Sequence, residues 1–192
     1  MVDSAAHLAR LRTVSVIGID TFTIDVHANI TPGLSGLHLT GLPDAALPAT
    51  GRRVLAAITS SGLGWPPRHI AVSLTPPEVV KPGAWFDLPI AVAVLAANGT
   101  LPLAACARML LIGQLGEDGS LQSVPGAVAA ARHAAANGID TVVVPPGNVA
   151  EARFVPGVTV LTADSLRELV TLLGGESPGG GPDAPPPAPT GP

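Results

Sequence analysis

Charge is the scarcest thing in this 192-residue chain: Asp, Glu, Lys and Arg make up 12% of it, against roughly a quarter in ordinary soluble domains. Lysine occurs once, as Lys81, and the only adjacent basic pair is Arg52-Arg53. The net charge is −4, and Glu176 and Asp183 near the C-terminus supply two of those charges. A folded part so near neutrality disfavours strong autonomous binding to nucleic acid or anionic lipid, because such affinity comes from clustered Lys and Arg. Cysteine also occurs once, at Cys106, which excludes an internal disulfide and a Cys-based zinc cluster. The longest apolar run, Leu88 to Ala97, is too short to span a bilayer. The N-terminus carries charge and no apolar stretch of signal-peptide length, so the expected location is cytoplasmic, with no membrane partner.

Phosphate-binding signatures are missing as well. No G-x-x-x-x-G-K-[ST] occurs, and no G-x-G-x-x-G follows a strand. Ser60-Ser-Gly-Leu-Gly64 has a suitable composition but falls at the C-terminal end of a predicted helix, where the dipole repels anions. His7, His27, His38, His69 and His133 show no i,i+4 pair. His27, His38 and His69 fall in predicted strands, yet no metal and no cofactor are expected.

What is present is apolar: 47% of the chain, ample for a core. Phe22, Ile24, Val26, Ala28 and Ile30 alternate with polar residues, which predicts a half-buried strand. Val14–Ile19 predicts a strand before it, and Leu37–Thr40 a short strand after it, suggesting a hairpin. Asp44 is placed to cap a helix that Gly62 ends, His69–Leu74 is a strand, and a helix from Leu88 runs to Asn98-Gly99. Met109–Leu115 and Ser120–Val124 predict a hairpin over Gly116–Gly119, and Pro125 opens a helix ending at Asn137-Gly138. Strands over Thr141–Val144 and Val158–Leu161 follow, then a helix capped by Asp164. Residues 1–13 read as an N-terminal extension and 14–173 as one mixed α/β sandwich rather than a doubly wound sheet. Residues 174–192, with six Gly and seven Pro, read as a disordered tail or linker.

Five stretches resemble one family, in order and with its spacing. They are Gly33–Asp44, Arg53–Pro66, His69–Pro77, Phe86–Ala91 and the hairpin Leu111–Leu115 with Gly119 and Val124-Pro-Gly126. Together they resemble the amino-terminal domain of the ComM/YifB proteins, the magnesium-chelatase-like AAA+ ATPases. The resemblance covers residues 14–173. It implies the fold of the Lon proteolytic domain, related to GHMP kinases and other left-handed βαβ folds. It further implies an ATPase module beyond the linker, and, for ComM, a hexameric helicase in natural transformation. Leu47-Pro-Ala-Thr-Gly-Arg-Arg53 departs from the family's more highly charged run at this point.

A Lon-type peptidase needs a helix-start serine deprotonated by a lysine. Alignment to that pattern puts Asp87 at the serine and Val128 at the lysine, so no enzymatic activity is expected. Asp87 is expected to serve as a helix N-cap. The expected role is a non-catalytic accessory domain in assembly or DNA guidance, partnered by further copies of itself or by an AAA+ module. Arg52, Arg53, Arg68 and Lys81 are the candidates for contact with DNA or a partner. The alternatives are a degenerate Ser-Lys peptidase-like domain or a truncated remnant without activity of its own.

Overall fold

The computed structural model describes residues 7–81 and 84–175. The tail from residue 176 and its expected disorder lie outside them. The mixed α/β expectation holds. Seven strands form one sheet in the order β3-β4-β2-β1-β5-β8-β9. These are β1 His7–Ile17, β2 Asp20–Thr31, β3 Gly36–Thr40, β4 His69–Thr75, β5 Met109–Leu111, β8 Thr141–Val143 and β9 Thr159–Leu161. A separate ribbon pairs β6 (Gln114–Leu115) with β7 (Leu121–Gln122) over Gly116–Gly119, shorter than the hairpin expected from Met109–Leu115, because Met109–Leu111 joins the main sheet as β5.

The core is built on β1 and β2, a long antiparallel pair in register from His7↔Ile30 to Ile17↔Asp20. On β2, Ile24, Val26, Ala28 and Ile30 are buried while Asp25, His27 and Asn29 are half-buried, the two-residue period of the sequence. Helix α2, Asp87–Ala97, packs on this pair and on α1, Leu47–Ser60. Every residue of α2 is buried. A helix apolar all round belongs in a protein interior, and α2 is the axis of this one. It is 11 residues long, or about 16 Å at 1.5 Å per residue, and no helix among the described residues is long and apolar enough to cross a membrane. Short helices α3 (Leu103–Cys106) and α5 (Val149–Ala152) lie in connections, and α4 (Ala127–Ala136) and α6 (Leu166–Leu172) complete the set.

Several local expectations are corrected. Strand β1 begins at His7, so half of the expected extension is sheet. Strand β3 makes no hairpin with β2; it pairs in parallel with β4, at the sheet edge. Helix α1 is capped by Ala46 without a side-chain hydrogen bond, and Asp44 stays exposed. Gly126, at φ +92°, is not helical, so α4 starts at Ala127 rather than Pro125. Ser165, not Asp164, caps α6: its hydroxyl accepts the Glu168 N–H at 3.2 Å, and the Glu168 carboxylate accepts the Asp164 N–H at 2.7 Å. This is a reciprocal arrangement of the capping-box kind.

Candidate functional site

Asp87 is the first helical residue of α2, not its cap. The N-cap is Phe86, which makes no side-chain capping bond. Instead the Asp87 carboxylate crosses to α1. Its Oδ2 accepts from Arg53 Nε at 2.6 Å and its Oδ1 from Arg53 Nη2 at 3.0 Å. Oδ2 also accepts the Leu115 N–H of β6 at 3.3 Å. One carboxylate therefore ties α2 to α1 and to the ribbon. A capping role loses because a bidentate guanidinium offers two charge-assisted bonds, stronger than the neutral N–H groups of a first turn.

The Asp87 side chain is fully buried, and that of Arg53 is 20% exposed. Burial pushes the Asp87 carboxyl above its ordinary value, while the Arg53 fork and the Leu115 N–H hold it back. The Arg53 guanidinium is raised in turn, chiefly by its hydrogen bond to Asp87. The pair is a fixed ionic lock within the core.

Two residues before Asp87, Trp85 packs against Gly126. Its ring lies 3.4 Å from where a Cβ on Gly126 would stand, an ordinary contact, so it is the φ of +92° that favours glycine there. Trp85 and Gly126 are thus neighbours, while Asp87 is engaged elsewhere. Trp85 and Gly126 line a groove of about 520 Å³ with Val16, Gln114, Ser123 and Val124. Val128 and Gly126 line its continuation of about 990 Å³, which shares Val16 and Gly18. Asp87 lines neither groove. The wall at Val124 is fixed by buried Asn148, whose Oδ1 accepts the Val124 N–H at 2.9 Å and whose Nδ2 donates to the Val124 carbonyl at 2.7 Å.

The four residues expected at a contact surface do not form one. Lys81 is 2% exposed. Its Nζ donates to the carbonyls of Pro76 and Val79 at 2.7 and 2.8 Å. Burial lowers its pKa, with Glu78 opposing. Arg53 is committed to Asp87. Arg52 is exposed beside Glu117 at 3.4 Å, and Arg68 is exposed in the segment before β4. Such an exposed pair as Arg52–Glu117 contributes little to stability. His27, His38 and His69 sit on β2, β3 and β4, and no group of three or more potential metal ligands forms among the described residues.

His133, unremarkable in sequence, is 8% exposed on α4 and sits between two hydroxyls of β2. Its Nδ1 is 2.9 Å from Thr21 Oγ1, and its Nε2 is 2.7 Å from Thr23 Oγ1. Burial lowers its pKa below the ordinary 6.5. The folded protein therefore binds this proton less readily than the unfolded chain. The contribution to stability is full above about pH 6.5 and is lost as pH falls through the lowered folded value. Urea unfolding midpoints followed from pH 7.5 down to pH 5 are expected to fall, and less so in His133→Gln. An identical fall in both proteins would rule out His133 as the source.

Against known proteins, residues 26–148 match the model of the family described as Subunit ChlI of Mg-chelatase. The chain belongs to this family, within its ComM/YifB branch. It is 38% identical over 170 residues to an uncharacterized protein of Mycobacterium tuberculosis, covering 88% of this chain and 34% of that one. It is 34% identical over 169 residues to the uncharacterized protein YifB of Escherichia coli, and 27% identical to the competence protein ComM of Haemophilus influenzae. Each of these matches covers 88% of this chain and 33% of the relative. The chain thus spans about a third of the length of the curated relatives it matches.

Proposed function

We propose that this chain acts as a non-catalytic accessory domain of a ComM/YifB-type protein, and that its work is assembly with further copies or with an ATPase module. The observation that carries this reading is the fate of Asp87. At the helix start where a Lon-type peptidase holds its nucleophile, this chain has a carboxylate bound to Arg53 and enclosed by the core. A carboxylate so engaged lines neither groove, and Val128, an apolar side chain, supplies no base. Assembly is favoured over DNA guidance by the low charge content, which supplies few Lys and Arg to meet phosphates.

DNA guidance is the second reading, supported by the name of the competence protein among the relatives. Its test uses Arg52→Ala/Arg68→Ala, because Arg53→Ala would also unpair Asp87.

Light scattering over a range of protein concentrations tests assembly. The expected result is a mass rising above the 19.1 kDa of one chain. A mass fixed at one chain, together with salt-sensitive binding of forked DNA that Arg52→Ala/Arg68→Ala weakens, would replace assembly with DNA guidance. Casein incubated with the protein is expected to stay intact. Cleavage that disappears in Asp87→Ala would overturn the non-catalytic reading.

A further inference from the structure

Helix α4 and the β1–β2 turn form the two walls of the groove of about 990 Å³. The Ile17↔Asp20 pair closes the turn, and Gly18 leads into it at φ +64°. His133 sets the spacing of the walls, because its ring nitrogens hold Thr21 and Thr23 of β2 at 2.9 and 2.7 Å. The groove follows α4 from Gly126 to Asn137, a length of about 16 Å at 1.5 Å per residue.

Its two ends differ. Toward Gly126 the lining is apolar, with Val16, Val128 and Ala129. Ile19, 97% exposed on the turn, belongs to the same surface as these rather than standing singly in solvent. Toward Asn137 the lining is polar, but its groups are already engaged. Thr21 is bonded to the His133 ring, and Asn137 Nδ2 donates to the His133 carbonyl at 2.8 Å. Burial lowers the His133 pKa, so this ring is neutral near pH 7.

Between the two ends stands Arg132, the one charged residue of the lining at that pH. It is exposed and has no ion-pair partner among the described residues, whereas Arg10, Arg52, Arg53 and Arg108 each have one. No carboxylate lines the groove among the described residues. Mostly apolar walls with few polar groups and one charge are the usual form of a small-molecule site. The sign of the charge selects an anion. A phosphate dianion is disfavoured, because it calls for several donors and the other polar groups are spent on one another.

We infer that this groove binds an aliphatic monocarboxylate, its carboxylate on Arg132 and its chain laid toward Gly126 over Val128, Ala129 and Val16. From Arg132 back to Gly126 is about 9 Å of helix, which suits a chain of medium length. Such binding breaks no bond and needs no second copy, so the inference stands apart from the assembly reading.

The probe is decanoate, titrated into the full chain below its micellar concentration and followed by calorimetry. One saturable site is expected. Octanoate should bind about fourfold more weakly, the effect of two methylenes about half buried. Arg132→Gln, an exposed substitution, should weaken decanoate about fivefold, the upper range for an exposed ion pair, and leave decanol unchanged. Ala129→Leu narrows this groove and should weaken decanoate more than tenfold. Ala135→Leu, at a position lining only the neighbouring groove beside Phe154, should leave it unchanged. Thermal unfolding of both leucine variants checks that the helix is in place. No saturable site, equal losses in the two leucine variants, or equal losses of decanoate and decanol in Arg132→Gln would overturn the inference. Binding of an apolar tripeptide with a free C-terminus in place of decanoate would overturn it too, by assigning the groove to a chain terminus.

Discussion

Arg53→Ala is expected to destabilise the protein by about 3–5 kcal/mol near neutral pH, the usual cost of breaking a buried pair by removing one partner. Asp87 has no exposed surface, and the Leu115 N–H would be its one remaining hydrogen-bond donor apart from any contact with Thr50. The variant relieves this by taking up a proton. With Arg53 gone, only the weaker bonds from the Leu115 N–H and Thr50 oppose the desolvation that already pushes the carboxyl up. A carboxyl with a raised folded-state pKa contributes stability that is full below its unfolded value of about 3.9 and is lost as pH rises through the folded value. The deficit against wild type should therefore be largest at pH 7 and shrink as pH approaches 4. Urea unfolding of both proteins across that range reads it directly. The reverse deletion, Asp87→Ala, should cost less, because the Arg53 side chain is already 20% exposed and can turn to water.

The second large effect is expected at Gly41. This residue joins β3 to the segment before α1 at φ +88°, and a Cβ there would stand 2.2 Å from the Leu74 carbonyl oxygen of β4. Backbone, unlike the end of a flexible side chain, cannot swing aside. Gly41→Ala should therefore cost about 4 kcal/mol, from left-handed strain together with displacement of β4. Gly138 provides the control: its φ is +65° and nothing lies within 4 Å of an added Cβ. Gly138→Ala should show the conformational part alone, about 1–2 kcal/mol. Thermal unfolding of the two variants separates contact from conformation. Equal losses would mean that the approach of Leu74 is relieved without cost.

Features governed by neighbours a few residues apart were legible in the sequence. The alternation along β2, the all-apolar run of α2 with its Asn98-Gly99 stop, and the ribbon over Gly116–Gly119 all appear as expected. Features that depend on distant partners were not. Strand β3 looks like the second arm of a hairpin from the turn before it, but its partner, β4, comes about thirty residues later. Asp87 has a local reading as a cap, and that reading fails because Arg53, 34 residues away, offers stronger bonds. Lys81, expected at a contact surface, is instead held by two nearby carbonyls and burial. His133 depends on Thr21 and Thr23, more than a hundred residues earlier. The Trp85 groove needs β1, β6 and the start of α4 in one place, which no local pattern encodes.

The central claim is that the position at the start of α2 serves structure and not chemistry, and a double-mutant cycle on the lock tests it most directly. Arg53→Met, Asp87→Leu and the double variant would be compared with wild type by urea unfolding. As a structural pair, each single change should cost about 3 kcal/mol while the double variant returns to within about 1–2 kcal/mol of wild type, since apolar groups of similar size can replace a buried ion pair. Singles that lose less than about 0.5 kcal/mol, the range of ordinary surface substitutions, would contradict the account and mean that Asp87 is held for some purpose other than the fold.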